Sequence, residues 1–258
     1  MRERYPPRRS LSRTVLARVF LRSLFLQASW NPQGMQNLGL AYALSPALDA
    51  LYPEPERRLV AVRRHLVFFN THPYVAAAIV GGVLFHEERI ACGEESPELV
   101  VKFKSALMGP LAALGDGFFW LSLKPAVGAF CAALVPWLGA KAAVLFLVLY
   151  NVVHLTLRAR LYLMGLALGD QLVVAVGKAR LPTRGARLRA VAAASSGGLA
   201  AWLAMSFGMQ EGGRVGAMLA FGCLVMGGLC YWLVVQRLPN FAVLYLAALL
   251  AGVVGAFI

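Results

Sequence analysis

The sequence has 258 residues, 59% hydrophobic and only 14% charged, with a mean hydropathy of +0.66, which excludes an ordinary soluble domain and places the chain in a bilayer. A formal net charge of +13 would raise nucleic-acid binding in a soluble protein. Here the basic residues flank apolar stretches, where Lys and Arg mark the cytoplasmic side, so no nucleic-acid partner is expected.

Arginines 2, 4, 8, 9, 13, 18 and 22 crowd the N-terminus. That region lacks the compact apolar core and small-residue cleavage site of a signal peptide, so the N-terminus is expected to remain in the cytoplasm. From Leu11 to Gln27 apolar residues interleave with Arg13, Arg18 and Arg22, a pattern that predicts a basic amphipathic helix at the inner surface. A second helix is predicted from Met35 to Ala50. The prolines of Tyr52-Pro53-Glu54-Pro55 suit a turn, with a further basic helix from Glu56 to about Phe69.

Tyr74 to Phe85 is apolar but falls short of the roughly 20 residues that cross a bilayer, so a re-entrant or partly crossing element is expected. Ser105 to Leu123 is long enough, but Gly109-Pro110 and Gly115-Asp116-Gly117 predict breaks. Broken helices at membrane depth point to a transport site. Further apolar segments run from Pro125 to Leu138, Ala142 to Leu157, Ala190 to Phe207, Val215 to Val235 and Phe241 to Ile258.

The predicted fold is an all-α integral membrane protein, with interfacial and broken or re-entrant helices in the first half and transmembrane helices in the second. It reads as a single membrane domain: cytoplasmic or interfacial helices over 1–73, a re-entrant and broken-helix core over 74–177, a basic cytoplasmic loop over 178–189 and three transmembrane helices over 190–258. Counting spans outward from that loop puts the C-terminus outside.

Cys92, Cys131, Cys223 and Cys230 form no CxxC and no His/Cys pair at metal spacing, so neither a disulfide framework nor a metal site is expected. No HExxH, Walker A, Ser/His/Asp or dinucleotide-loop pattern calls for a catalytic residue or a cofactor.

Four blocks carry a resemblance: Leu26-Gln27-Ala28-Ser29-Trp30-Asn31, His65 to Pro73 with its FFNTHP string, Glu87-Glu88, and Lys104 to Asp116 with its MGPLA-x-x-GD string. In order and spacing they resemble the IID components of the mannose, fructose and sorbose phosphotransferase permeases. The resemblance implies a non-catalytic subunit of the bacterial inner membrane that pairs with a IIC subunit, in a higher oligomer of such pairs among membrane lipid. It further implies that the pair translocates a hexose-type sugar while IIA and IIB proteins phosphorylate it, and that movement of a core against a scaffold drives transport. Pro32-Gln33-Gly34, His86 and Gly117 depart from the family pattern, and they motivate the alternative of a family-derived scaffold or regulatory protein without active transport.

Asp116, in its glycine-flanked setting, reads either as an acceptor for sugar hydroxyls or a gate, or as an N-cap for the helix beginning at Phe118. Asn70 and His72 read either as part of a helix start with Thr71 and Pro73, or as mixed donors and acceptors for a sugar. Glu87 and Glu88 end an apolar element, where they could bind sugar or couple to a proton. Neighbours on a helix point in different directions, so one of them is expected to face a cavity or an arginine. His65 has no acid partner nearby in sequence and reads as a surface or packed residue.

Overall fold

A computed structural model describes residues 11–178 and 181–210, and the helical positions Phe221, Gly222, Val225, Leu229 and Trp232. The described residues are helical and contain no strand; two isolated β-bridges, Asn31 with Met35 and Met35 with Phe69, fix the loops. The helices are α1 (Arg13–Ser23), α2 (Asn37–Leu51), α3 (Pro55–Arg63), α4 (Ala76–Ala91), α5 (Pro97–Gly115), a π-helical segment (Asp116–Leu123), α6 (Lys124–Ala133), α7 (Val135–Leu138), α8 (Lys141–Leu168), α9 (Leu172–Lys178) and α10 (Leu181–Gln210). The chain divides into two compact units, residues 1–193 and 194–258. The expected spans 215–235 and 241–258 lie almost wholly outside the described residues, as does the C-terminus.

Local chemistry explains most helix ends. Ser12 caps α1, its hydroxyl accepting from Val15 N–H. Pro55 and Pro97 occupy the first turns of α3 and α5, where a missing N–H costs nothing. Gly169 closes α8 with φ +49, a backbone state that favours glycine.

Among the described residues, two helical stretches are long and apolar enough to cross a membrane: Pro97–Ala133 and Lys141–Gln171. The first corrects an expectation, because Gly109-Pro110 and Gly115-Asp116-Gly117 do not break the helix. Pro110 lies inside α5, and the glycine-flanked aspartate enters a π-helical stretch without leaving the helical path. Such stretches widen a helix locally and recur at functional sites.

Helix α8 presents two faces. Val144, Val148, Val152 and Leu155 are exposed and apolar, as a lipid- or partner-facing stripe requires. Tyr150, His154, Arg158 and Tyr162 recur at four-residue intervals on the opposite face, and all are buried. Polar groups turned inward and apolar groups outward are what a bilayer selects. Tyr162 Oη donates to Leu16 O (2.9 Å) and Arg158 donates to Ser23 O, so this inward face holds α1 at both ends.

Helix α4 is the centre of the unit. Its 16 residues reach about 24 Å, short of a bilayer core, and nearly all of them are buried. It packs on α8 through glycines: a Cβ on Gly81 would stand 2.2 Å from Tyr162 O, and one on Gly165 would stand 2.2 Å from Ala78 O. Backbones this close need small residues. Residues 181–189, expected as loop, form the first turns of α10.

Candidate functional site

The loop joining α3 to α4 carries Asn70, Thr71 and His72, and Gln36 sets its shape. Gln36 Nε2 donates to Thr71 O (2.8 Å), its Oε1 accepts from Thr71 N–H (3.2 Å), and its backbone N–H donates to Phe69 O (2.8 Å). A buried amide satisfied in this way fixes a loop that has no ladder of its own.

That loop meets the α5–π junction. Asn70 N–H donates to Met108 Sδ (3.5 Å), and the His72 ring stacks on Phe119 with centroids 5.1 Å apart and 14° between planes. Trp120 and the edge of Tyr74 complete the aromatic enclosure. Tyr74 stacks in turn on His154 (4.4 Å), which joins the loop to the inward polar face of α8. The FFNTHP and MGPLA-x-x-GD strings are thus packed against each other.

His72 is 3% exposed. Its Nδ1 accepts from Tyr74 N–H (3.3 Å), so in the neutral ring the proton sits on Nε2, a buried donor without a partner among the described residues. Burial lowers its pKa to about 4, with Asp116 opposing and Arg158 assisting.

The Asp116 side chain is exposed and forms no hydrogen bond or ion pair among the described residues. Its backbone is α-helical (φ −60, ψ −48), so it is not the N-cap of a helix beginning at Phe118. Asn70 is also exposed, and α4 begins without a side-chain cap, so the capping readings of Asn70 and Thr71 are not met. The structure therefore brings His72 under the influence of Asp116, and leaves the Asp116 and Asn70 side chains open to solvent or a ligand. Downstream, Ser122 Oγ donates to Gly117 O (2.8 Å) and accepts from Arg189 Nη1 (2.9 Å), tying the π segment to α10.

Glu87 and Glu88 are held elsewhere, by separate partners. Glu88 Oε1 accepts from Leu11 N–H (2.8 Å). Glu87 is fully buried; its Oε2 accepts from Tyr52 Oη (2.6 Å), and its Oε1 meets His65 Nε2 (2.9 Å) and Arg64 Nε (3.5 Å). Lys104 Nζ donates to His65 Nδ1 (3.3 Å) and Arg64 O (2.8 Å). Nδ1 is therefore the acceptor, and His65 gives its Nε2 proton to Glu87. Burial keeps the His65 imidazole below its ordinary pKa, hence neutral. Burial alone would raise Glu87, but the hydrogen bonds from His65 and Tyr52 and the nearby Arg64 charge outweigh it and hold the carboxyl below its usual range. His65 is thus a fully buried link between Lys104 and Glu87, and its acid partner lies 22 positions away.

Comparison with known proteins gives the family of the chain. The family model described as PTS system mannose/fructose/sorbose family IID component matches residues 10–258. The mannose-specific EIID component of Escherichia coli (strain K12) is 42% identical over 152 residues, 58% of this chain and 54% of that protein. The sorbose-specific EIID component of Lacticaseibacillus casei is 37% identical over 145 residues (55% and 50%), and the fructose permease IID component of Bacillus subtilis (strain 168) is 34% identical over 147 (57% and 54%). These matches span about half the length of the curated relatives. Two solved structures are similar over 96% of this chain and 97% of theirs: the mannose transporter ManYZ in complex with Microcin E492, at 29% identity and TM-score 0.60, and a membrane protein at 30% identity and TM-score 0.71. The chain belongs to the mannose/fructose/sorbose family of PTS system IID components.

Proposed function

We propose that this chain is the IID subunit of a mannose-type permease that forms, with a IIC-type membrane protein, the path by which a hexose-type sugar enters the cell, while IIA and IIB proteins supply phosphate. The observation that carries the reading is the packing of His72 on the α5–π junction, with the Asp116 and Asn70 side chains left open beside it. An exposed carboxylate and amide supply the acceptors and donors that sugar hydroxyls require, and the stacked His72 gives them a fixed floor. Asp116 and Asn70 are assigned to the sugar path or its gate, and His72 to positioning.

Glu87 and Glu88 are assigned to holding helix ends, since both have protein partners. The N-terminal arginines support a cytoplasmic N-terminus, and counting spans supports a C-terminus outside, in the bacterial inner membrane among lipid and in a higher oligomer of IIC–IID pairs. No contact of the site favours the scaffold alternative.

The test is uptake and phosphorylation of mannose, fructose and sorbose in cells lacking their own permeases and supplied with this chain, a IIC protein and the IIA and IIB proteins. Asp116→Asn keeps the size and one acceptor oxygen, and the Asp116 side chain N-caps no helix. The variant is expected to assemble and to lose uptake at least tenfold. Uptake at the unsubstituted level in a correctly assembled complex would remove Asp116 from the path. Failure of the unsubstituted complex on every sugar would overturn the transport reading.

A further inference from the structure

An apolar cavity of about 200 Å³ lies behind the π segment, walled by Phe118, Leu157, Leu161, Met164 and Val176, with Arg160 and Arg184 at its edge. Both arginines are exposed, and neither has a hydrogen bond or an ion pair among the described residues. The lining offers a ligand two guanidinium groups and otherwise apolar side chains. A sugar needs converging donors and acceptors, which this lining lacks. Two unpaired guanidiniums beside an apolar recess match an amphiphile with an anionic head, because the planar fork takes phosphate oxygens in pairs.

Depth in the membrane points the same way. Arg160 lies between Arg158 and Tyr162, the two residues that hold α1 by Ser23 O and Leu16 O. Helix α1 exposes Arg13 and Arg18 and so belongs at a headgroup surface. Arg184 belongs to the basic segment 178–189. The two sides of the cavity thus carry separate marks of the cytoplasmic leaflet, which is the anionic one.

We propose that this cavity binds one anionic phospholipid of the inner leaflet, its phosphate between Arg160 and Arg184 and the head of an acyl chain against Leu161 and Phe118. Phe119 lines the same cavity and stacks on His72, so the lipid packs against the π segment that carries the candidate sugar path. The site is independent of the transported sugar; it rests only on the chain being embedded in the membrane.

The experiment is native mass spectrometry of the full chain purified with its IIC partner, titrated with phosphatidylglycerol or phosphatidylcholine. One phosphatidylglycerol is expected to be retained in preference to phosphatidylcholine. The double variant Arg160→Gln/Arg184→Gln should weaken that binding roughly thirtyfold, on the scale of two basic contacts at an anionic surface. Leu161→Trp, which fills the recess and leaves both arginines, should weaken it at least tenfold. Arg187→Gln, in the same basic segment but outside the cavity, should leave it unchanged. Equal retention of both lipids by the unsubstituted complex would overturn the proposal without recourse to any variant. So would an Arg160→Gln/Arg184→Gln complex that behaves like Arg187→Gln, or a filled recess that binds as before. Displacement of the lipid by soluble glycerophosphoglycerol at equal concentration would show a free-phosphate site instead, and would also overturn it.

Discussion

Gly115 leaves the space that the His72 side chain occupies: a Cβ on Gly115 would stand 2.4 Å from both Cβ and Cγ of His72. The glycine is needed for room, since its own backbone is α-helical (φ −66, ψ −48). Gly115→Ala must push His72 off Phe119 or force the loop away from Gln36. Overpacking of this kind costs typically 1–3 kcal/mol. We expect Gly115→Ala to lower the thermal midpoint of the purified complex and to cut sugar uptake at least tenfold. Gly117→Ala is the control, because nothing among the described residues lies within 4 Å of a Cβ there, and it should be close to neutral. Equal effects of the two substitutions would show that the His72 contact does not matter.

The contact of α4 with α8 gives a second prediction. Gly81 and Gly165 each face a backbone carbonyl of the opposing helix, and a carbonyl cannot swing aside as a side chain can. Gly165→Ala should therefore separate the helices and reduce the yield of monodisperse protein severalfold, measured by size-exclusion chromatography in mild detergent. Gly197→Ala, with nothing among the described residues within 4 Å of a Cβ there, should leave the yield unchanged.

Much of this fold could be read from the residues, because its causes are local. The basic amphipathic pattern located α1, and the prolines before Glu56 located the start of α3. The short apolar run after Pro73 became α4, too short to span and buried by its neighbours. The expected breaks at Gly109-Pro110 and around Asp116 failed for a reason the sequence does not carry. Helix propensity disfavours both sites, but packing of α5 and the π segment against α4, α6 and the His72 loop supplies what propensity lacks. The Tyr52–Arg64–His65–Glu87–Lys104 cluster was invisible because its members are scattered across helices and loop. The expectation that one of Glu87 and Glu88 faces a cavity or an arginine was the trace, and Glu87 meets Arg64. His65 and Glu87 together complete what neither neighbourhood shows alone.

That cluster leads to the third prediction. Glu87 is the carboxylate between Arg64 and the neutral His65 that links it to Lys104, and Glu87→Gln leaves the Arg64 and Lys104 cations without it. Removing one member of a buried ion pair costs about 3–5 kcal/mol, because the remaining charge is stranded. The variant should unfold at a much lower temperature than the native complex. Tyr52→Phe removes one hydrogen bond from the same carboxylate and should cost about 1–3 kcal/mol. Glu88→Gln disturbs only the bond to Leu11 N–H and should cost less than either. Thermal unfolding of the three variants in one detergent reads the order directly, and a Glu88→Gln effect as large as that of Glu87→Gln would contradict it.

His72 provides the pH prediction. Its ordinary pKa is 6.5, and burial lowers it to about 4 in the folded protein. Between those values the unfolded chain binds a proton at this residue and the folded chain does not. Stability from His72 is therefore fully present above pH 6.5, rises with pH across the window, and is lost as pH falls toward 4. The thermal midpoint of the native complex should drop between pH 7 and pH 4.5, and His72→Asn, which has no titrating ring, should drop less over the same range. Asp116 opposes the shift, so Asp116→Asn should make the pH dependence steeper than in the native complex. Parallel pH profiles for the native and His72→Asn complexes would mean that His72 titrates as if exposed, and the enclosure by Phe119, Trp120 and Tyr74 would then have to be redrawn.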